Sequence, residues 1–293
     1  MPLLISADGV HSTVARVLGR RSSREVVRAL GAELRMAPAM PGMVELVVDR
    51  ELLPGWFAWS IPLGPDRVRV GVGTTADIPP ARLLAALRGL FAAQFAAEPE
   101  PGSYSAGLIQ LWAPGNVIND GVMLVGDAAG QVKPSTGGGI HSGLVGAHHA
   151  ARQAVHAHAR GAFDRGALRD YERRWHVELG SEFRNLNSLR SIYVRLGQRR
   201  FKALVGAFGH PALGRIIAEQ GDIDFPSHMF GSLVRAAPSL LALAGGRAGA
   251  APAPARLRGR PATRPDGRGG PRRRPARGRR FHRRLAGCRA IFV

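Results

Sequence analysis

The chain has 293 residues, 45% of them hydrophobic, enough for one large or two modest domains with a true core. A formal charge of +20 would suit nucleic acid or an anionic membrane surface, yet from Arg247 onward there are fifteen arginines and one acid, Asp266, so the excess belongs to a tail. A single cysteine, Cys288, excludes a disulfide framework and a cysteine-based zinc site and fits a reducing cytosol, while no apolar run reaches the roughly 18 residues of a spanning helix and no basic, apolar leader suggests export.

Leu3 to Ile5 reads as a strand, and Asp8-Gly9 followed by Ser12 predicts a strand-to-helix turn with Ser12 as N-cap. Val26 to Arg35 and Met43 to Asp49 read as strands, separated by Pro38, Pro41 and Gly42. In Pro54 to Gly64, strand alternation places Phe57, Trp59 and Ile61 on one face, either as core or as the wall of an elongated apolar pocket. Val68, Val70 and Val72 alternate with Arg67 and Arg69, the pattern of a half-exposed antiparallel strand. The only GxGxxA spacing, Gly71 to Ala76, is therefore expected to be a strand end and not a phosphate loop. Pro79 to Ala97 predicts a helix, and Gly107 to Trp112 a further strand.

Gly121 to Ala151 organises the rest. Val122 to Val125 is a short apolar run ended by Gly126-Asp127, as in a buried parallel strand that delivers one carboxylate at its carboxyl end. Ala128-Ala129-Gly130 permits close backbone approach, and Pro134 with Gly137 to Gly139 leads into a helix running to about Arg160. Such an entry points unpaired N–H groups outward, toward anionic or electron-rich ligand atoms. Spacing alone leaves an ordinary strand–loop–helix crossover equally open. No two of His141, His148, His149, His156 and His158 lie four apart, so no metal site is expected. Residues 164–220 carry helical patterning, including Leu186, Leu189, Ile192, Tyr193 and Leu196. From about Gly245 an aperiodic Arg/Pro/Gly/Ala composition predicts disorder. That tail suits nucleic acid or anionic lipid by charge, lacks interleaved aromatics, and also has the composition of a frameshifted GC-rich reading.

LVGDAAGQVKPSTGGGI, residues 124–140, resembles the second flavin-contacting motif of FAD-dependent oxidoreductases built like p-hydroxybenzoate hydroxylase, and its proline and GGGI ending resemble the geranylgeranyl reductase branch. Ala7-Asp8-Gly9-Val10-His11-Ser12 resembles the ADG-x-x-S motif of the same group, with Ala15 and then Arg16 where many hydroxylases place an arginine. Phe57 to Pro62 resembles the YxWxFP signature of the reductases, with Phe57 for the tyrosine and Ile61 for the phenylalanine.

The resemblance covers roughly residues 3–235 and implies an α/β (α+β) fold: a partial Rossmann-like FAD domain, an antiparallel substrate sheet and carboxyl-terminal helices. The implied division is FAD-domain segments at 1–23 and 113–160, a sheet domain at 24–112, a helical region at 161–244 and a disordered tail at 245–293. It further implies Asp127 at a ribityl hydroxyl, Gly137 to Ile140 at the flavin ring, and Asp8, Gly9, Gly126, Ala128 and Pro134 around FAD. Phe57, Trp59 and Ile61 would wall a prenyl pocket, and Phe57, Trp59, Gly138 and Gly139 would flank the reacting atoms. The implied activity is saturation of isoprenoid double bonds of a prenyl lipid or prenyl diphosphate. NAD(P)H or ferredoxin would be the electron donor, and the protein would be cytoplasmic with peripheral contact at the inner membrane face and no specific nucleic acid. A monooxygenase or halogenase of the same fold is the sibling reading. The family's GxGxxG loop has no counterpart before Met1, so the chain is expected to be amino-terminally truncated, with weak or no FAD binding.

Overall fold

The computed structural model describes residues 3–20, 25–92, 104–208, 211–236 and 288–292. In order these form β1 (Leu4–Ser6), α1 (Thr13–Val17), β2 (Val26–Arg35), β3 (Val44–Val48), β4 (Ala58–Pro62), β5 (Arg67–Thr74), α2 (Pro80–Leu90), β6 (Tyr104–Gln110), β7 (Ile118–Asn119) and β8 (Val122–Leu124). A 3-10 turn (Gly126–Ala129) precedes α3 (Ile140–Arg160), α4 (Arg165–Tyr193), α5 (Gln198–Phe208) and α6 (Pro211–Gln220). A second 3-10 turn (Pro226–Met229), α7 (Phe230–Ala236) and β9 (Cys288–Phe292) complete the described chain.

Two sheets are interleaved. The smaller has the order β1-β8-β7, with β1 and β8 parallel and Ile5 opposite Met123. The chain leaves it after β1 and returns at β7. Between them it builds most of the larger sheet, order β6-β2-β5-β4-β3-β9, whose strand pairs are all antiparallel. The alternation seen along β5 holds in three dimensions. Val68, Val70 and Val72 are fully buried against Leu83, Leu87 and Leu90 of α2, whereas Arg67 and Arg69 point to the opposite, open face. Each valine so buried contributes about 1.5–3 kcal/mol. Gly71 lies on the open face, where a Cβ would stand 2.2 Å from the Trp59 ring; glycine lets that indole lie flat across the strand.

α3 and α4 pack on the small sheet. Along α4, Leu168, Tyr171, Trp175, Leu179, Phe183, Leu186 and Arg190 recur at spacings of three and four and are all buried. The Asp164 side chain caps its first turn, accepting from the Ala167 amide at 3.0 Å.

Several elements differ from the sequence expectation. α2 ends at Leu90, and 93–97 of the expected helix lie outside the described residues. β6 begins at Tyr104 instead of Gly107, drawn out by full pairing with β2 from Tyr104–Ala32 to Gln110–Val26. In the tail, Cys288–Phe292 is a strand, pairing antiparallel with β3 from Cys288–Val48 to Phe292–Val44. The short apolar run at the chain end satisfies the backbone groups of an otherwise uncovered sheet edge, which composition averaged over the tail conceals. Residues 237–287 lie outside the described part.

Candidate flavin site

The parallel strands β1 and β8 end side by side, with Ser6 opposite Leu124. Asp8 and Asp127 follow these two ends, so both carboxylates enter the crevice at the carboxyl edge of the sheet, where open α/β sheets bind ligands. Their local roles differ. Asp8 accepts from the Ser6 hydroxyl and from the Thr13 amide at 2.9 Å, while Ser12 caps α1 by accepting from the Ala15 amide at 2.9 Å. The hydroxyls of Ser6 and Ser12 hold the Asp8 carboxyl at about 2, well below the usual carboxylate range. Because the folded value is depressed, the stabilisation exists above the unfolded value near 4 and disappears as pH falls toward 2. Asp8→Asn should therefore unfold more easily than the parent at pH 6, with the gap closing between pH 4 and pH 2 in acid-titrated denaturant melts.

Asp127 has no side-chain hydrogen bond among the described contacts, and burial alone pushes its carboxyl up from the ordinary value. It sits at the start of α3: a Cβ on Gly139 would lie 3.3 Å from Asp127 Oδ1. Gly139 is the N-cap and supplies no side chain, so the first N–H groups of α3 face the crevice. Gly126 takes φ +63°, which turns the chain sharply enough for the 3-10 turn to carry Asp127 forward. Between these points, Pro134 is buried, and the loop is closed by Lys133 N to Gly138 O and Gly137 N to Lys133 O, both 2.9 Å. Ile140, at the helix start, is 85% exposed.

A buried polar network supports this loop from behind. Gln131, 2% exposed, accepts from Gly126 N at 2.8 Å and donates to the Tyr171 hydroxyl at 3.0 Å. Tyr171 donates in turn to Leu124 O, and Ser142 donates to Gln131 O. Burial pushes the Tyr171 phenol up from its ordinary value, so it remains a donor throughout the accessible pH range. Tyr171→Phe strands the Gln131 amide and the Leu124 carbonyl; a loss of about 1–3 kcal/mol in urea unfolding is expected.

The expected prenyl wall reaches the loop through a residue that alternation did not single out. Trp56 stacks on Phe57 at 4.9 Å, and Phe57 meets Trp59 edge-on at 6.0 Å. A Cβ on Gly137 would lie 3.1 Å from the Trp56 ring and 3.3 Å from Ile109, so indole and glycine loop are in contact. Ile61 stands farther along, opposite Arg69. Behind Trp56, Arg190 is 1% exposed; it bonds Glu25 at 2.6 Å, the Tyr193 hydroxyl at 2.8 Å and Gly55 O at 3.0 Å, and lies 5.2 Å over the indole. Lys133 Nζ is likewise enclosed, donating to Asp224 at 2.6 Å and to Ile223 O at 2.7 Å. Arg16, near the first motif, bonds Thr13, whereas Arg20 bridges to the second by donating to Ala129 O. Trp56, Gln131, Lys133, Tyr171 and Arg190 were all missed. His149 and His141 have carboxylate partners, Glu178 at 2.8 Å and Asp224 at 3.5 Å.

The residues present fit the ribityl and ring portions of a flavin: a desolvated carboxylate lacking a partner, an uncapped helix start and an adjoining apolar wall. Gly71-Val72-Gly73 lies within β5, hydrogen-bonded on both sides, and is no phosphate cradle.

No protein-family model matches the chain. Digeranylgeranylglycerophospholipid reductase 2 of Methanopyrus kandleri is 28% identical over 225 residues, 73% of this chain and 57% of that protein. The protein of the same name from Methanothermobacter thermautotrophicus is 30% identical over 211 residues, 69% of this chain and 53% of its own length. The chain thus spans about half the length of these curated relatives. A solved structure, a geranylgeranyl bacteriochlorophyll reductase-like protein from Thermoplasma acidophilum, superposes with a TM-score of 0.64 at 20% identity, over 81% of this chain and 62% of that one. A flavin-dependent halogenase shares the fold more distantly, TM-score 0.51 at 14% identity over 81% of this chain and 50% of that one. Sheet topology and crevice define a chain with the fold of FAD-dependent oxidoreductases. Within them, the relatives that its sequence resembles are reductases of the geranylgeranyl type.

Proposed function

We propose that this chain takes part in FAD-dependent saturation of isoprenoid double bonds, on a prenyl lipid or a prenyl diphosphate, with NAD(P)H or ferredoxin as electron source. The observation that carries the reading is Asp127: a half-buried carboxylate with no side-chain partner among the described residues, at the uncapped start of α3 and one glycine loop away from an aromatic wall. Bound flavin would supply hydride chemistry. The chain's own residues hold and orient. Asp127 would accept from a ribityl hydroxyl, the helix start at Gly139 would offer its N–H groups to the ring, and Asp8, Gly9, Gly126, Ala128 and Pro134 would shape the surrounding backbone. Trp56, Phe57 and Trp59 keep water away from an alkene held against Gly138 and Gly139. Phe57 carries no proton to give, so the proton that completes saturation comes from elsewhere. Among the described residues no helix is long and apolar enough to cross a membrane, so a lipid substrate would be met at a surface.

The test is an absorbance spectrum of the purified chain, before and after incubation with FAD, followed by product analysis with a geranylgeranyl substrate and dithionite. Flavin bands and added hydrogen support the reading. A protein that takes up no flavin overturns it for this chain.

A further inference from the structure

Lys133 carries a charge that the loop around it does not need. Its amide and carbonyl already close the glycine loop through Gly138 O and Gly137 N, both at 2.9 Å, so a neutral side chain would serve the backbone equally well. The ammonium is nevertheless buried there, with Nζ donating to Asp224 Oδ1 at 2.6 Å and to Ile223 O at 2.7 Å. An ammonium has three donors, and these acceptors occupy two of them. A Cβ on Gly138 would lie 3.3 Å from Lys133 Cε and 3.8 Å from Nζ, which puts the cation against the backbone just before the start of α3. Cations are disfavoured at that end of a helix, and a buried ion pair is often no more stable than apolar residues of the same volume. Stability therefore does not explain the charge.

Its partner belongs to a separate piece of chain that has anchors of its own. Asp222 Oδ1 accepts from the amides of Asp224 and Phe225 at 2.7 and 3.1 Å. Phe225 packs on the cluster of Trp112, Trp175 and Phe183, and buried Glu182 accepts from the Ser227 amide at 2.9 Å. Residues 222–227 thus form a strap that brings one carboxylate to Lys133 from outside the loop. The Asp224 side chain is 32% exposed against 6% for Lys133, so water screens the carboxylate more than the ammonium and positive potential is left on the loop.

We propose that Lys133, together with the start of α3, favours the anionic reduced form of the flavin ring, and that Asp224 on the strap sets how much of the Lys133 charge is felt. The proposal rests on the flavin reading of the crevice and adds to it the pair of residues that tunes the reduction potential. Two-electron reduction leaves negative charge on the pyrimidine half of the ring. A cation fixed beside the loop in a dry site stabilises that charge and does little for the neutral oxidised form. The same charge makes the ring easier to reduce and a weaker hydride donor afterwards.

The full chain is loaded with FAD and titrated with sulfite, followed by bleaching of the flavin absorbance. The sulfur lone pair of sulfite adds to N5 of the oxidised ring and leaves negative charge on the pyrimidine half, as reduction does. Lys133→Met keeps the length of the side chain and removes its charge; sulfite affinity should fall by about tenfold or more. Asp224→Asn keeps an acceptor oxygen and removes the opposing charge; sulfite affinity should rise several-fold. Reduction potentials read against indicator dyes should fall in the first variant and rise in the second. A purely structural ion pair cannot give opposite signs, because losing either partner would loosen the loop in the same way. Lys133→Arg keeps the charge and should recover most of the sulfite affinity lost in Lys133→Met. Circular dichroism of the flavin-free variants confirms that each is folded. Changes of the same sign in Lys133→Met and Asp224→Asn overturn the assignment and leave the flavin site standing, as does a Lys133→Met chain that binds sulfite as tightly as the parent. A parent chain that takes up no FAD overturns both.

Discussion

Replacing Arg190 by alanine should lower the unfolding free energy by about 3 kcal/mol, measured by urea titration with far-UV circular dichroism, which would make it a severe substitution for this chain. The side chain is 1% exposed and donates to Glu25, Tyr193 and Gly55 O, so truncation loses three hydrogen bonds from a charged donor and leaves a void beside Trp56. Alanine restores water access to Gly55 O only if the α4–sheet contact opens, and that opening would move Trp56 away from Gly137. Lysine keeps the charge but has no planar fork and cannot reach three acceptors at once, so Arg190→Lys should recover less than half of the loss. A loss below about 1 kcal/mol for Arg190→Ala would show that the enclosed guanidinium does not join α4 to the sheet.

Asp127→Ala is expected to behave in the opposite way. It removes no side-chain hydrogen bond to a described residue and relieves a desolvated charge, so the flavin-free chain should keep its stability within about 0.5 kcal/mol or gain slightly. Flavin affinity, in contrast, should fall by about 10- to 100-fold, the worth of one hydrogen bond to a charged acceptor. Asp127→Asn keeps one acceptor oxygen and should fall between. The pair of measurements, thermal melting without flavin and equilibrium titration with FAD, separates a binding carboxylate from a structural one: a variant that melts early but binds normally would contradict the assignment.

What was legible in the sequence follows from periodicity and local chemistry. Val26 to Arg35 and the alternation of Arg67 to Thr74 appear as strands, and Ser12 caps α1, because each signal is set within a few residues. Parallel pairing of β8 was readable because Val122 to Val125 is apolar throughout. Arg190 was not, because a charged residue in a charged helix gives no sign of burial when its partners, Glu25 and Gly55, are more than a hundred residues away. Trp56 escaped for another reason. It lies in the turn before β4, where alternation does not apply, and its contact with Gly137 arises from two separate loops. Gln131 and Tyr171 look unremarkable until the fold brings them together. Along β9, five residues found a strand partner that composition gave no reason to expect.

The interleaving of the two sheets also bears on the order in which the molecule is built. β3, β4 and β5 pair as sequential neighbours, so this meander needs only short loops to close. Pairing Leu4 with Val122, by comparison, closes a loop of more than a hundred residues in a single step. Closure entropy rises with loop length and is offset there by only three strand pairs. Such long-range contacts form slowly unless something shortens the loop first. The folded meander, with β2 and β6 added, is that something: it draws the two ends of the excursion together before β1 and β8 meet. By this argument the crevice that holds Asp8 and Asp127 forms late, assembled on strands β2 to β6 that are already paired.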